Sequence, residues 1–247
     1  MNNNNVCPGS QPPTIRGLIN IPNIITCCNL ISGCTAIVFA LYGNSTMALL
    51  WIVLGALFDF FDGMSARLLG VSSPVGKELD SLADVVTFGI APSSIIFSFL
   101  CGIHQHLIWL PFLAFIMAAF SALRLAKFNL DERQTTSFIG LPTPANALFW
   151  GALIVSAGEW LESSPYLVGA VIVMIFISSF LLIAELPLFA LKFKHWGWKD
   201  NEVKYIFLIT AALLIFVPLL VWQSIIGLSG VIAWYVLLSI VTNKRQS

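Results

Sequence analysis

Apolar residues along this chain gather into blocks long enough to cross a bilayer, separated by short polar joints. Each crossing needs roughly 20 apolar residues, with about 17 as a lower bound. On that measure eight spans are predicted, over 23–42, 45–61, 83–102, 107–127, 145–160, 165–184, 203–222 and 224–242. Pro142, Pro144 and Gly151 blur the start of the fifth, and only Gln223 and its neighbours part the last two. Ahead of the first block, Asn2–Pro13 is polar and proline-containing and reads as a disordered tail. The following stretch to Ile21 suits either a short helix lying in the membrane interface or a plain linker. The expected organisation is a tail with that segment over 1–21, a membrane domain over 22–242 and a short terminal tail over 243–247.

Composition removes the soluble alternative. Hydrophobic residues make up 58% of the 247 and charged residues 10%, with mean hydropathy +0.90, whereas soluble domains carry about a quarter charged residues. The expectation is an all-α integral membrane protein, a bundle of about eight transmembrane helices. The first block lacks the small-residue exit of a cleavable signal, and a second span follows closely, so it reads as a permanent anchor. Five cysteines, without zinc-type spacing and mostly in apolar sequence, read as small buried side chains.

Charge placement tests the span count. With eight spans, Arg16, Arg67, Lys77, Arg124, Lys127, Arg133, Lys192, Lys194, Lys199, Lys204, Lys244 and Arg245 all fall on one side. The opposite loops hold His104, His106, Glu159 and Glu162. Cations concentrate on cytoplasmic loops, so both termini are expected there. Trp51, Trp109, Trp160 and Trp222 then mark the outer interface, and Trp196 and Trp198 the inner one. The basic, aromatic stretch 192–204 suits anchoring to anionic headgroups, with His195 as an interfacial residue.

Against this background four aspartates stand out: Asp59-x-x-Asp62-Gly63-x-x-Ala66-Arg67, eight residues, then Gly76-x-x-x-Asp80-x-x-x-Asp84. Acids beside membrane-grade sequence are costly unless something binds them. Spacings of three and four put each pair on one helix face, and the span order brings both faces to the cytoplasmic surface. Four carboxylates there repel, and Arg67 and Lys77 are too few to neutralise them. Two hard divalent cations, magnesium or manganese, balance the charge. A salt-bridge network with Arg67, Lys77 and Arg124 is the structural alternative.

The pattern resembles the signature of the CDP-alcohol phosphatidyltransferase family at every fixed position. That resemblance implies a helical membrane enzyme with a cytoplasmic-face active site, commonly a homodimer, that displaces CMP from a CDP-linked substrate with an alcohol. It also implies metal binding by Asp59, Asp62, Asp80 and Asp84, with Asp84 as the general base. Gly63, Ala66 and Arg67 are expected to border the nucleotide and diphosphate.

Further stretches bear on the substrates. Asn23, Thr26, Asn29 and Gly33 form one stripe on the first span, suited either to interhelical hydrogen bonds or to contact with cytosine or ribose. Asn23 and Thr26 are the nucleotide candidates. The segments Arg124–Asn129 and Phe138–Ala145 resemble the serine-using subgroup of the family, which implies CDP-diacylglycerol as donor and L-serine as acceptor, with CMP released. Arg124 is the candidate partner for the acceptor carboxylate, with Asn129 beside it. Lys127 is expected to snorkel to lipid phosphates, and Glu185 to pair with Lys192. Glycerol 3-phosphate or inositol phosphate as acceptor would demand more cations near the site than the loops offer. A cation transporter would carry acids deep in several spans and, in many cases, an internal repeat; neither pattern is present. Membrane lipids are the expected surroundings, and no nucleic acid is expected as a partner.

Overall fold

A computed structural model describes residues 19–71, 73–103, 108–130, 138–188, 197 and 201–243. Its helices are α1 (Ile21–Leu41), α2 (Ser45–Leu69), α3 (Pro74–Ile103), α4 (Pro111–Leu130), α5 (Thr143–Glu162), α6 (Pro165–Ile183), α7 (Glu202–Trp222) and α8 (Ile226–Asn243). The two short strands β1 (Phe138–Ile139) and β2 (Pro187–Leu188) pair antiparallel. Among the described residues, six helices, α1–α4, α6 and α7, are long and apolar enough to cross a membrane. The protein is a helical integral membrane protein.

Local chemistry sets where the helices begin and end. Asn20 caps α1 by accepting from Asn23 N at 2.9 Å, and Asn44 caps α2 by accepting from Met47 N at 3.0 Å. Ser73 caps α3 through Gly76 N at 3.0 Å, with Pro74 in the first turn, where a missing N–H costs nothing. Gly70 ends α2 with a left-handed φ of 63°. Two helices run well past the expected spans: α2 continues from 61 to Leu69, and α3 starts at Pro74 rather than 83. Hydropathy under-reads both ends because Asp62, Arg67, Lys77, Glu78 and Asp80 break the apolar run without breaking the helix.

Residues Val85–Ile90 of α3 form a π-helical stretch, immediately after Asp84. An inserted residue of this kind often marks a functional site, because it changes the face a helix presents. Here it drives Thr87 between α1 and α2. A methyl on Gly33 would lie 2.8 Å from the Thr87 Cα, and one on Gly55 would lie 3.0 Å from Asn29 Oδ1. Only glycine at both positions permits this three-helix contact. The Thr87 hydroxyl closes it by donating to the Asn29 carbonyl at 3.0 Å.

The apolar core lies further along the same helices, around Ile52, Phe88, Ile95, Ile96, Leu100, Met117 and Trp150. Trp150 donates through Nε1 to Ser178 Oγ at 3.0 Å, joining α5 to α6. The entry to α5 is strapped onto the end of α6: Gly140 N donates to the Leu186 carbonyl at 2.9 Å, and Leu141 N to that of Leu181 at 3.0 Å. Gly140 has φ 79°, and a side chain there would sit 2.8 Å from the Leu182 carbonyl. Outward faces are apolar and exposed, as at Leu68, Phe180 and Leu220, which suits contact with acyl chains.

Candidate active site

The end of α2 and the start of α3 bring the aspartates together. One carboxylate oxygen from each of Asp59, Asp62 and Asp80 lies within 4.8 Å of the others. Asp62 Oδ2 and Asp80 Oδ1 are buried without a hydrogen-bond partner. Asp59 also lies against Asp84, one turn further along α3 and only 8% exposed. Among the described residues the one ion pair within 4.0 Å is Lys127–Glu185, at 3.1 Å, so no lysine or arginine there forms a salt bridge with the four aspartates. Convergent oxygens with unfilled acceptor capacity fit a hard divalent cation, and the salt-bridge alternative finds no bond.

A cavity of about 480 Å³ opens beside this cluster. Asp62 and Asp80 form part of its wall, and all five nucleotide candidates, Asn23, Thr26, Gly63, Ala66 and Arg67, line it. Asn20, Ser73, Gly76 and Lys77 also line it, which brings the N-terminal turns of α1 and α3 to its edge. Helix N-termini and exposed cations together favour an anionic ligand. Gly76 has a clear steric role, because a methyl there would meet Asn23 Oδ1 at 3.0 Å and Ser73 Oγ at 3.1 Å. Around Gly63 the one atom of the described residues within 4 Å of an added methyl is Arg67 Nη2 at 3.7 Å, which leaves space beside it.

The polar stripe of α1 divides. Asn23 and Thr26 face the cavity, whereas Asn29 is fully buried and donates through Nδ2 to Asp84 Oδ1 at 3.2 Å. Sequence spacing placed Asn29 on the right face but did not identify Asp84 as its partner. Lys77 Nζ donates to the Asn129 carbonyl at 3.0 Å, and Asn129 Nδ2 donates to Ser81 Oγ at 2.8 Å. Asn129 therefore ties the end of α4 to the start of α3.

Arg124 is buried near the end of α4, with Nη1 donating to Thr143 Oγ1 at 3.3 Å and its guanidinium 5.7 Å from the Phe128 ring centre. Asp84 is the carboxylate that acts on it electrostatically. Its Nε has no partner, and neither do both amide atoms of Asn146, one turn beyond Thr143 on α5. Lys127 donates to Glu185 Oε1 at 3.1 Å, so the partners of Glu185 include a cation on α4. The readings on Arg16, His104, His106, Arg133, Lys192, Lys194, His195, Trp196, Trp198, Lys199, Lys244 and Arg245 lie outside the described residues.

A model of the CDP-alcohol phosphatidyltransferase family matches residues 19–180. The chain is 44% identical over 128 residues to the CDP-diacylglycerol–serine O-phosphatidyltransferase of Bacillus subtilis, covering 50% of this chain and 69% of that protein. It is 30% identical over 241 residues to the protein of the same name from Helicobacter pylori, covering 94% and 99%. With the corresponding protein of Methanocaldococcus jannaschii it shares 35% over 162 residues, or 66% and 71%.

Proposed function

The chain belongs to the CDP-alcohol phosphatidyltransferase family, and from that premise we propose that it transfers the phosphatidyl group of CDP-diacylglycerol to the hydroxyl of L-serine. The products are phosphatidylserine and CMP. One observation carries the reading: three carboxylates converge, two of them in the wall of a cavity large enough for a nucleotide headgroup, on helices otherwise suited to lipid.

In this reading Asp59, Asp62 and Asp80 hold divalent cations, two in number and either magnesium or manganese, with Asp84 close enough to share one. Bound there, the cations neutralise the oxygens of the donor diphosphate. The remaining work falls to the chain. Asn23, Thr26, Gly63 and Ala66 line the space for the nucleotide, and Arg67 offers charge to the diphosphate at the exposed rim. Asp84 takes the proton of the serine hydroxyl as its oxygen attacks the phosphorus bearing the diacylglycerol, and the bond to CMP breaks. Arg124, held by Thr143 and near Asp84, suits the serine carboxylate, since a buried guanidinium gains most from a charged partner. Asn129 contributes by fixing the wall between α3 and α4.

The same reading puts the site and both termini on the cytoplasmic face, supported by the one-sided lysines and arginines, and pairs the chain as a homodimer, which rests on the family resemblance. CMP release from purified protein, measured with L-serine, glycerol 3-phosphate and inositol phosphate in turn, tests the acceptor. Release with serine alone is expected; release with a phosphorylated alcohol in its place would overturn the assignment.

A further inference from the structure

We infer that Asn29 is the positioning residue for Asp84, an assignment that rests on Asp84 being the base in the reading above. Asn29 is fully buried, so it does not reach the cavity, and its Nδ2 donates to Asp84 Oδ1 at 3.2 Å. Its Oδ1 has no partner. The amide is therefore oriented by the carboxylate alone, because turning its oxygen toward Asp84 would set two acceptors against each other.

The seat of Asn29 is closely packed by α2 and α3. Its carbonyl accepts from Thr87 Oγ1 at 3.0 Å, and its Oδ1 lies 3.0 Å from where a methyl on Gly55 would be. Thr87 sits in the π-helical stretch that begins one residue after Asp84. The device that wedges α3 between α1 and α2 thus also holds the partner of the base. With Oδ1 occupied, the other oxygen of Asp84 is left to accept the proton of the acceptor hydroxyl. A carboxylate free to rotate would spend part of its time with neither oxygen aligned, which lowers turnover without weakening substrate binding.

Steady-state CMP release from purified full-length protein separates this role from others. Asn29→Leu keeps the volume and removes the donor; kcat is expected to fall about 10- to 100-fold, as for other residues that orient a reacting group. The KM values for CDP-diacylglycerol and L-serine should stay within about 3-fold, since only the transition state loses an interaction. Thr87→Val, which keeps the packing and loosens the seat, should lower kcat in the same sense and by less, and it provides the test if Asn29→Leu does not fold. A raised KM for the donor at unchanged kcat would make Asn29 a nucleotide contact and overturn the assignment. So would a Thr87→Val protein with unchanged kcat. Wild-type protein that releases no CMP with serine would instead sink the function proposed above.

Discussion

Asp80 and Asp84 are one helical turn apart, yet their surroundings give them different work. Asp80 shares a centre with two other acids, whereas Asp84 is tied to an amide and lies near a guanidinium. Asp84→Asn is expected to abolish CMP release while retaining most binding of CDP-diacylglycerol, because the three convergent carboxylates remain. Asp80→Asn should weaken donor binding and raise the cation concentration needed for activity together; titrating both variants with magnesium separates the roles. Gly63 gives a complementary test. An added methyl meets only Arg67 Nη2 at 3.7 Å, and alanine stabilises a helix interior by roughly 0.5–1 kcal/mol relative to glycine. Gly63→Ala should therefore leave the thermal midpoint unchanged or higher while raising the KM for the donor. A lowered midpoint with unaltered KM would remove Gly63 from the ligand space. At this scale the sequence was informative about residue types and spacing. It could not reveal the Asn29–Asp84 and Lys77–Asn129 bonds, because they join residues 55 and 52 positions apart.

At the scale of elements, α1, α2 and α3 act as one unit, locked by Thr87 against two glycines. Gly33→Ala would force its methyl to within 2.8 Å of the Thr87 Cα, backbone that cannot rotate away. Overpacking of this kind costs about 1–3 kcal/mol. The expected result is a lower thermal midpoint in detergent and a lower kcat, since the displaced segment carries Asp84; an unchanged midpoint would mean that the helices part easily. Hydropathy found these helices but clipped them, ending the second span at 61 and starting the third at 83, where the structure has Leu69 and Pro74. The clipped turns hold Asp62, Arg67, Gly76 and Asp80 of the candidate site. A scale built on transfer to lipid scores a charged residue as loop even where helix and ligand stabilise it.

For the whole molecule, the acids and Arg124 gather at one end of the bundle while the mid-section is apolar, a division already visible in the sequence. The packing of α7 and α8 was not legible there, because near-uniform apolar runs carry no marker of which face meets protein; Ser229 Oγ donating to the Phe149 carbonyl at 2.7 Å is what fixes α8 on α5. If divalent cations complete the acidic end, magnesium or manganese without substrate should raise the thermal midpoint progressively, as any ligand specific to the folded form does. A chelator should reverse the shift and stop CMP release. A midpoint indifferent to both ions would argue against a bound cation.

Since Asp59, Asp62 and Asp80 meet without an ion pair to any lysine or arginine among the described residues, a cation bound there would tie the last step of this protein's maturation to the ions around it. On the proposed reading the greasy segments enter the bilayer by partitioning, whereas drawing their acidic ends together would need the cations that the site is proposed to hold. A shortage would therefore do more than idle finished enzyme: it would leave inserted chains splayed at one end and open to proteases, so that the amount of protein, as well as its rate, would follow the available mineral.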